Sequence, residues 1–402
     1  MDENKIKIVQ INANAGIAST GKICTSISKL LDDEGIENYI LYSLVGDNRS
    51  NSIRYANPII RRLQSLYEKV TGNFGFGAFF TTKKLIKYLE LINPTIIHLH
   101  NIHSHDCDLA VLFRYICMKE IRVIWTFHDC WAFTGLCTHF DQVKCNRWET
   151  ECYDCPIKSK YVIRDASKRL YRRKKESYGD NVNLTIVTPS KWLASFVGRS
   201  FLNVYDTIVI NNGIDLTIFQ YRDSSFKIRN NLQGKFIVLG VSNIWGKGKG
   251  LDAFIELSKK LVDCFQIVLV GTDNDVDKIL PSNIISIHRT QNQIELAEIY
   301  SASDVFVNPT LEDNFPTVNM EAIACGTPVI TYNTGGSPEI IDNTCGIVVP
   351  KGNVDHLLTA IVSVQTKMIV FNSESCRKRA LLYDERDKYR DYLDLYMQTE
   401  KK

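Results

Sequence analysis

The chain has 402 residues, a formal net charge of +3 and 45% hydrophobic residues. That length exceeds what one core supports and calls for two domains, while the ordinary composition excludes long disorder. Near-neutral charge argues against nucleic acid as the main partner, and no apolar run reaches the length of a membrane span.

The polar start, MDENK, lacks the basic opening and cleavage site of a signal peptide, so a cytoplasmic protein is expected, with its twelve cysteines mostly reduced. Residues 7–11 (KIVQI) read as a strand. A loop with Gly16 and Gly21 follows, then helical spacing over 23–31. Ser19 or Thr20 can cap that helix, and Gly21 lets a ligand approach the backbone. There is no GxGxxG, which disfavours a nicotinamide dinucleotide site. Residues 39–43 form a second strand, and 61–82 a long segment of scattered aromatic and basic residues. The strand at 95–100 (TIIHLH) ends in polar residues. His98 is expected to face the core, and His100 and His103 to reach a site at the strand end. The strand at 123–127 (VIWTF) leads into His128 and Asp129. Strands at 185–187 and 207–210 close this half, and the Asn212-Gly213 turn follows.

Two features of this half stand apart. Five cysteines crowd into residues 130–155, and Cys137, Cys145, Cys152 and Cys155 are spaced C-x7-C-x6-C-x2-C. The final C-x2-C is a common half of a structural zinc site. The segment reads as too polar to form a core, so a structural zinc held by these four thiolates is expected to order it. Basic residues also cluster: Arg61, Arg62, Lys69, Lys83, Lys84 and Lys87 near Phe79 and Phe80, then Lys168, Arg169, Arg172, Arg173 and Lys174. Such clusters fit peripheral contact with anionic membrane, as they fit ordinary solvated helix faces.

A second α/β unit begins at about residue 235. Its first strand, 236–241, runs into the loop SNIWGKGKG, which carries Asn243, Lys247 and Lys249. Strands at 266–270 and 284–287 follow, the second leading to Arg289 and Thr290. Residues 304–336 then read as strand, loop, helix, strand. Asp313 or Asn314 can cap the helix, Pro316 suits its first turn, and Gly326-Thr327-Pro328 ends it. A helix start at the carboxyl edge of a parallel sheet favours anions, and carboxylates such as Asp313 and Glu321 bind sugar hydroxyls. An anion flanked by hydroxyls describes a sugar nucleotide. The last helix, 375–399, is long and charged.

These motifs resemble those of the group 1 (family 4) retaining glycosyltransferases. That family's signature is an acidic residue, seven residues and a glutamate, then a small-residue helix end and Gly-Thr-Pro-Val. Here Asp313, NFPTVNM, Glu321 and AIACGTPVI match it, with Asp where Glu is usual. Thr126-Phe127-His128-Asp129 is similar to the family's Thr-x-His-Asp, Asn212-Gly213-Ile214-Asp215 to its hinge, and Lys249-Gly250 to its Lys-Gly. Asn243 stands where an arginine is usual, and Lys247 can supply the missing charge.

The resemblance implies the GT-B fold, an α/β architecture of two facing Rossmann-like domains with a cleft between them. Residues 1–208 would form the acceptor side and 209–374 the nucleotide-sugar side, with 375–402 packing back on the first domain. It implies a hexosyl transfer with retention from a nucleotide-diphosphate sugar to a glycan or lipid-linked acceptor in surface polysaccharide synthesis. The place would be the cytoplasm, at the inner face of the plasma membrane. No cofactor for catalysis is implied. Lys249 and the amides around Phe315 to Val318, Thr317 among them, would hold the diphosphate, with Asn314 and Pro316 also at the donor, and Glu321 would bind the ribose. Asp313 and His128 would face the sugar, Arg289 and Thr290 the base, Gly21 the phosphates, and Gly16, His100 and His103 the acceptor. Two other readings stay open: a nucleotide-sugar-binding pseudo-enzyme, and another GT-B enzyme such as an epimerase.

Overall fold

The computed structural model describes residues 6–178 and 182–398. The polar start and the final residues expected to complete the last helix lie outside them. The chain divides into two compact units, one running to Asn211 and resuming at Tyr389, the other Asn212–Lys388.

The first unit is built on seven strands: β1 (Lys7–Asn12), β2 (Glu37–Tyr42), β3 (Ser52–Arg54), β4 (Ile96–Leu99), β5 (Arg122–Thr126), β6 (Leu184–Thr188) and β7 (Asp206–Val209). Every pairing is parallel, in the order β3-β2-β1-β4-β5-β6-β7. The strand order reverses between β1 and β4. In a doubly wound sheet that is where the loops part and a ligand finds room. Parallel strands covered on both faces need continuous apolar runs, and β4 is buried throughout.

The second unit repeats the plan with β8 (Phe236–Val241), β9 (Phe265–Val270), β10 (Ile284–Ile287), β11 (Val305–Asn308), β12 (Val329–Tyr332) and β13 (Gly346–Val349). Its parallel order is β10-β9-β8-β11-β12-β13, so the reversal falls between β8 and β11.

The expected single terminal helix is two. Ser373–Ala380 belongs to the second unit, with Cys376 and Ala380 in the same core as Met320 and Ile323. Glu385–Met397 carries the chain into the first unit. There Tyr389, Tyr392, Leu395 and Tyr396 pack with Ile8, Ile27, Ile96 and Ile124. The Tyr396 hydroxyl meets His98 Nδ1 at 2.6 Å, and Arg122 donates to the carbonyls of Leu395 and Tyr396 at 2.8 and 3.2 Å. His98 faces the core as expected, and its partners are the reason: burial costs little once both ring nitrogens are bonded, the second to Thr126 Oγ1 at 2.8 Å.

Candidate functional site

The second unit gathers three loops at the carboxyl ends of β8, β11 and β12. The loop at 246–250 rests on the one after β11, where Leu311 donates its N–H to the Gly248 carbonyl at 2.8 Å. Gly250 has φ +78, and a Cβ there would sit 2.3 Å from the Pro309 carbonyl oxygen, so only glycine permits the contact. Seating the loop this way brings Lys249 Nζ to 2.6 Å from Asp313 Oδ2. The third loop closes on the same segment. Gly336 donates its N–H to the Asn314 carbonyl at 2.9 Å, and a Cβ on Gly335 would lie 1.7 Å from the Asp313 carbonyl oxygen.

The helix after this segment is Thr317–Ala324, with Pro316 at its N-cap and no side chain capping it. The expected cap from Asp313 or Asn314 is therefore corrected. Asp313 turns to Lys249, and Asn314 is buried with its carbonyl held by Gly336. The consequence is chemical: a helix start without a side-chain cap keeps its first-turn N–H groups for an anion. Phe315 is buried, with its ring 5.9 Å from Tyr383 and its carbonyl accepting from Asn212 Nδ2 at 3.3 Å. Two turns on, Glu321 Oε2 accepts from the Tyr300 hydroxyl at 3.2 Å. Burial, and then the Glu321 charge, hold the Tyr300 phenol well above its usual range, so Tyr300 is the donor.

Other predicted donor residues are less engaged. Asn243, Lys247 and Arg289 are exposed, Thr290 is partly exposed, and no hydrogen bond or ion pair joins any of them to the Lys249–Asp313 pair. Thr317 and Val318 stand half-exposed on the first turn of the helix, beside the buried Pro316.

In the first unit the loops after β1, β4 and β5 carry the candidates. His100 Nδ1 lies 3.1 Å from His128 Nε2, with the rings stacked at 5.4 Å. His100 Nε2 faces Gln10 Oε1 at 3.2 Å, and the amide nitrogen of Gln10 donates to the Cys24 carbonyl. That assigns the tautomers. His100 carries its proton on Nε2 and accepts at Nδ1, so His128 carries its proton on Nε2 and presents Nδ1 as an acceptor. Burial pushes His128 down to about 4 and His100 well below its usual value, so both are neutral at pH 7. His103 pairs instead with Asp129, Nε2 to Oδ2 at 2.8 Å. Burial opposes its charge, but the Asp129 carboxylate outweighs burial and raises its pKa. Asp129 is likewise held down to about 2, the His103 charge overcoming burial.

Gly16 is partly exposed in the loop after β1, with φ +72. Gly21 is buried inside the helix Ala18–Asp33, its carbonyl taking the Gly16 N–H at 3.0 Å. The helix starts earlier than its periodicity implies and lacks the Ser19 or Thr20 cap. Gly21 packs on Asn14 and Gly16 on Asp47, and of the two only Gly16 keeps partial exposure.

The cysteine segment differs from the expectation in its reason for order. Trp131, Phe133, Leu136, Phe140 and Trp148 are buried in it, with Phe140 and Trp148 stacked at 4.9 Å. These side chains join the first unit's main core, with Trp125, Phe127 and Leu109. Lys174, fully buried, clamps the segment by donating to the carbonyls of Trp131 at 2.6 Å and Thr134 at 3.0 Å. Cys137, Cys152 and Cys155 are buried and Cys145 half-buried, all as free thiols. Burial pushes Cys137 and Cys152 up to about 12, and Cys152 Sγ accepts the Gly135 N–H. Among the described residues no three His, Cys, Asp or Glu side chains are placed to hold a metal ion, these four cysteines included.

Sequence reasoning passed over Gln10 and Asp129's pairing, and it counted Lys174 in a surface basic cluster, whereas the structure buries it fully. Gln10 had a signal, a lone polar side chain inside an apolar strand.

Comparison with known proteins identifies the family and the fold. Residues 21–218 match the family model described as Glycosyltransferase Family 4, and 235–367 that described as Glycosyl transferases group 1. A protein of Escherichia coli K12 named as a colanic acid biosynthesis glycosyl transferase, WcaC, is 22% identical over 88% of this chain and 89% of its own. The UDP-Gal:alpha-D-GlcNAc-diphosphoundecaprenol alpha-1,3-galactosyltransferase of Escherichia coli is 27% identical over 46% of this chain and 54% of its own. Among solved structures, sucrose-phosphate synthase from Thermosynechococcus elongatus superposes with a TM-score of 0.71 at 16% identity, covering 98% of each chain. Anabaena HepE in complex with UDP-glucose gives 0.70 at 13% identity, covering 97% of this chain and 99% of its own. The chain belongs to the group 1, family 4 glycosyltransferases and has the GT-B fold.

Proposed function

We propose that this protein transfers a hexosyl group, with retention of configuration, from a nucleotide-diphosphate sugar to a glycan or lipid-linked acceptor in surface polysaccharide synthesis. The observation that carries the reading is the Lys249–Asp313 pair beside a helix start that no side chain caps. A departing diphosphate develops negative charge. Lys249 and the N–H groups of Phe315, Thr317 and Val318 would meet it, which is where most of the catalysis would lie. When the anion binds, Lys249 turns from Asp313 to phosphate, and Asp313 becomes an acceptor for sugar hydroxyls. Glu321, steadied by Tyr300, accepts the two ribose hydroxyls. In the first unit His128, neutral and held by His100, is the residue assigned to the sugar. Gly16 and the His103–Asp129 pair belong to acceptor binding.

The names of relatives support the substrate class. One acts on a diphosphoundecaprenol-linked sugar from a UDP donor, another on an N,N'-diacetylbacillosaminyl-diphospho-undecaprenol. Among the described residues no helix is long and apolar enough to cross a membrane, so a lipid-linked acceptor would be met at the inner membrane surface. Incubation with a panel of nucleotide sugars tests the reading: a released nucleoside diphosphate and an α-linked product from an α-linked donor are expected. One observation favours binding without turnover, the neutral Asn243 where the family has arginine. A donor that binds in calorimetry yet is never consumed, with any acceptor, would favour that second reading.

A further inference from the structure

The helix Pro58–Thr71 is turned inside out. It is well formed on its own terms: Asn57 caps it, Oδ1 accepting the Ile59 N–H at 2.8 Å, and Gly72 ends it with φ +70. At 100° per residue, Ile59, Ile60, Leu63, Leu66, Tyr67 and Val70 fall within one apolar stripe roughly 120° wide. A surface helix ordinarily turns such a stripe to the core. Here those six side chains are 45% to 68% exposed, and the buried residue is Glu68, at 1%. Glu68 lies opposite the stripe and is satisfied there, paired with His105 Nδ1 at 2.6 Å and accepting from Gln64 at 3.1 Å. The packing that fixes the helix is therefore polar, and among the described residues the apolar face stays exposed, with Tyr67 alone lying against Gly77.

The patch extends beyond the helix. Gly77 lies against the Tyr67 ring, and Phe79 and Phe80 follow, 41% and 81% exposed, with Lys83 Nζ 4.4 Å above the Phe79 ring. Cations border it. Arg62 and Lys69 lie along one edge of the stripe by the same angular count. At the far end of the helix a groove of about 1100 Å³ has Val70 and Ile163 among its apolar walls; Arg164, Lys168, Arg169 and Arg172 outnumber Asp165 and Glu176 around them, and Lys168 and Arg172 share Glu151 as an ion-pair partner. Arg169 is fixed in place, donating to the carbonyls of Thr71 and Gly72 at 2.9 and 3.0 Å.

We propose that this face docks on an anionic lipid bilayer, the stripe and Phe80 entering the headgroup boundary while the bordering cations meet lipid phosphates. Charge complementarity selects that occupant: an apolar stripe rimmed with arginine and lysine is what an anionic interface binds. A second copy is disfavoured, because a two-fold contact sets the patch against itself and its cations against each other. The proposal rests on the lipid-linked acceptor reading only for its purpose.

Flotation tests it, using the full chain with vesicles of phosphatidylcholine alone and of phosphatidylcholine mixed with phosphatidylglycerol. Wild-type protein is expected to float with the mixed vesicles and to be released by high salt. Leu63→Glu with Leu66→Glu should cut the bound fraction roughly tenfold with an unchanged melting temperature, since both side chains already face solvent. Equal flotation of the double variant, no flotation of wild type, or a wild-type dimer that the variant turns into monomer would each overturn it. Flotation reads this surface and nucleotide-sugar turnover reads the site, so either can fail without the other.

Discussion

Lys249 and Asp313 satisfy each other at 2.6 Å, but their side chains are 42% and 22% exposed, so the pair is cheap to open. That is what a site needs whose lysine must change partners. Lys249→Ala is expected to lower kcat/KM by about 2–4 kcal/mol in barrier terms, the loss of one preorganised charge partner. Asp313→Asn should act differently, keeping nucleoside diphosphate affinity, because Lys249 is released, while lowering kcat with the intact donor. Calorimetry and steady-state kinetics separate the two. Equal loss of diphosphate affinity in both variants would contradict the assigned roles. Glu321→Gln should weaken diphosphate nucleoside binding with the fold intact, and unchanged affinity would remove it from the ribose site. These residues were legible in the sequence because the chemistry ties them to short, local motifs. The tautomer chain from Gln10 through His100 to His128 was not, since it joins three strands distant in sequence.

At the scale of elements, period and turn residues read well. The helix after β11 and its end at Gly326 follow from local chemistry, and the structure places them at Thr317–Ala324 with Gly326 at φ +83. What period does not report is the direction a stripe faces. The spacing in Pro58–Thr71 is that of any surface helix, and only the long-range pairing of Glu68 with His105 turns it outward. The cysteine segment failed for a related reason: its aromatic residues are scattered in sequence and meet only in space. The last helix offers a test at this scale. Tyr396→Phe removes the partner of His98 Nδ1 in a buried site and should destabilise the first unit by about 1–3 kcal/mol. Chemical denaturation followed by a probe in that unit measures it, and no change would mean the bond is replaced.

Across the whole molecule the buried histidines set acid stability. Burial holds His98 at about 3, His128 at about 4 and His100 well below its usual value. Unfolded, each takes a proton near pH 6.5. As pH falls below that value the unfolded chain binds more protons than the folded one, so stability declines, by up to ~1.4 kcal/mol per pH unit for each histidine. The His103–Asp129 pair runs the other way at high pH: His103 is raised, so its contribution is lost as pH rises through its folded value. The melting temperature of the first unit should therefore fall between pH 7 and pH 5, and a flat profile would contradict the burial assigned to these rings.

The central claim is that this chain breaks a sugar–diphosphate bond with Lys249 and the helix at Thr317 receiving the charge, and rebuilds the glycosidic bond on the same face. The most direct measurement is turnover of a nucleotide-sugar panel by wild type and Lys249→Ala, with the product's anomeric configuration read by NMR. The account predicts one donor consumed by wild type, a product that keeps the donor's configuration, and a variant slower by roughly a hundredfold. An inverted product, or a variant as fast as wild type, would contradict it.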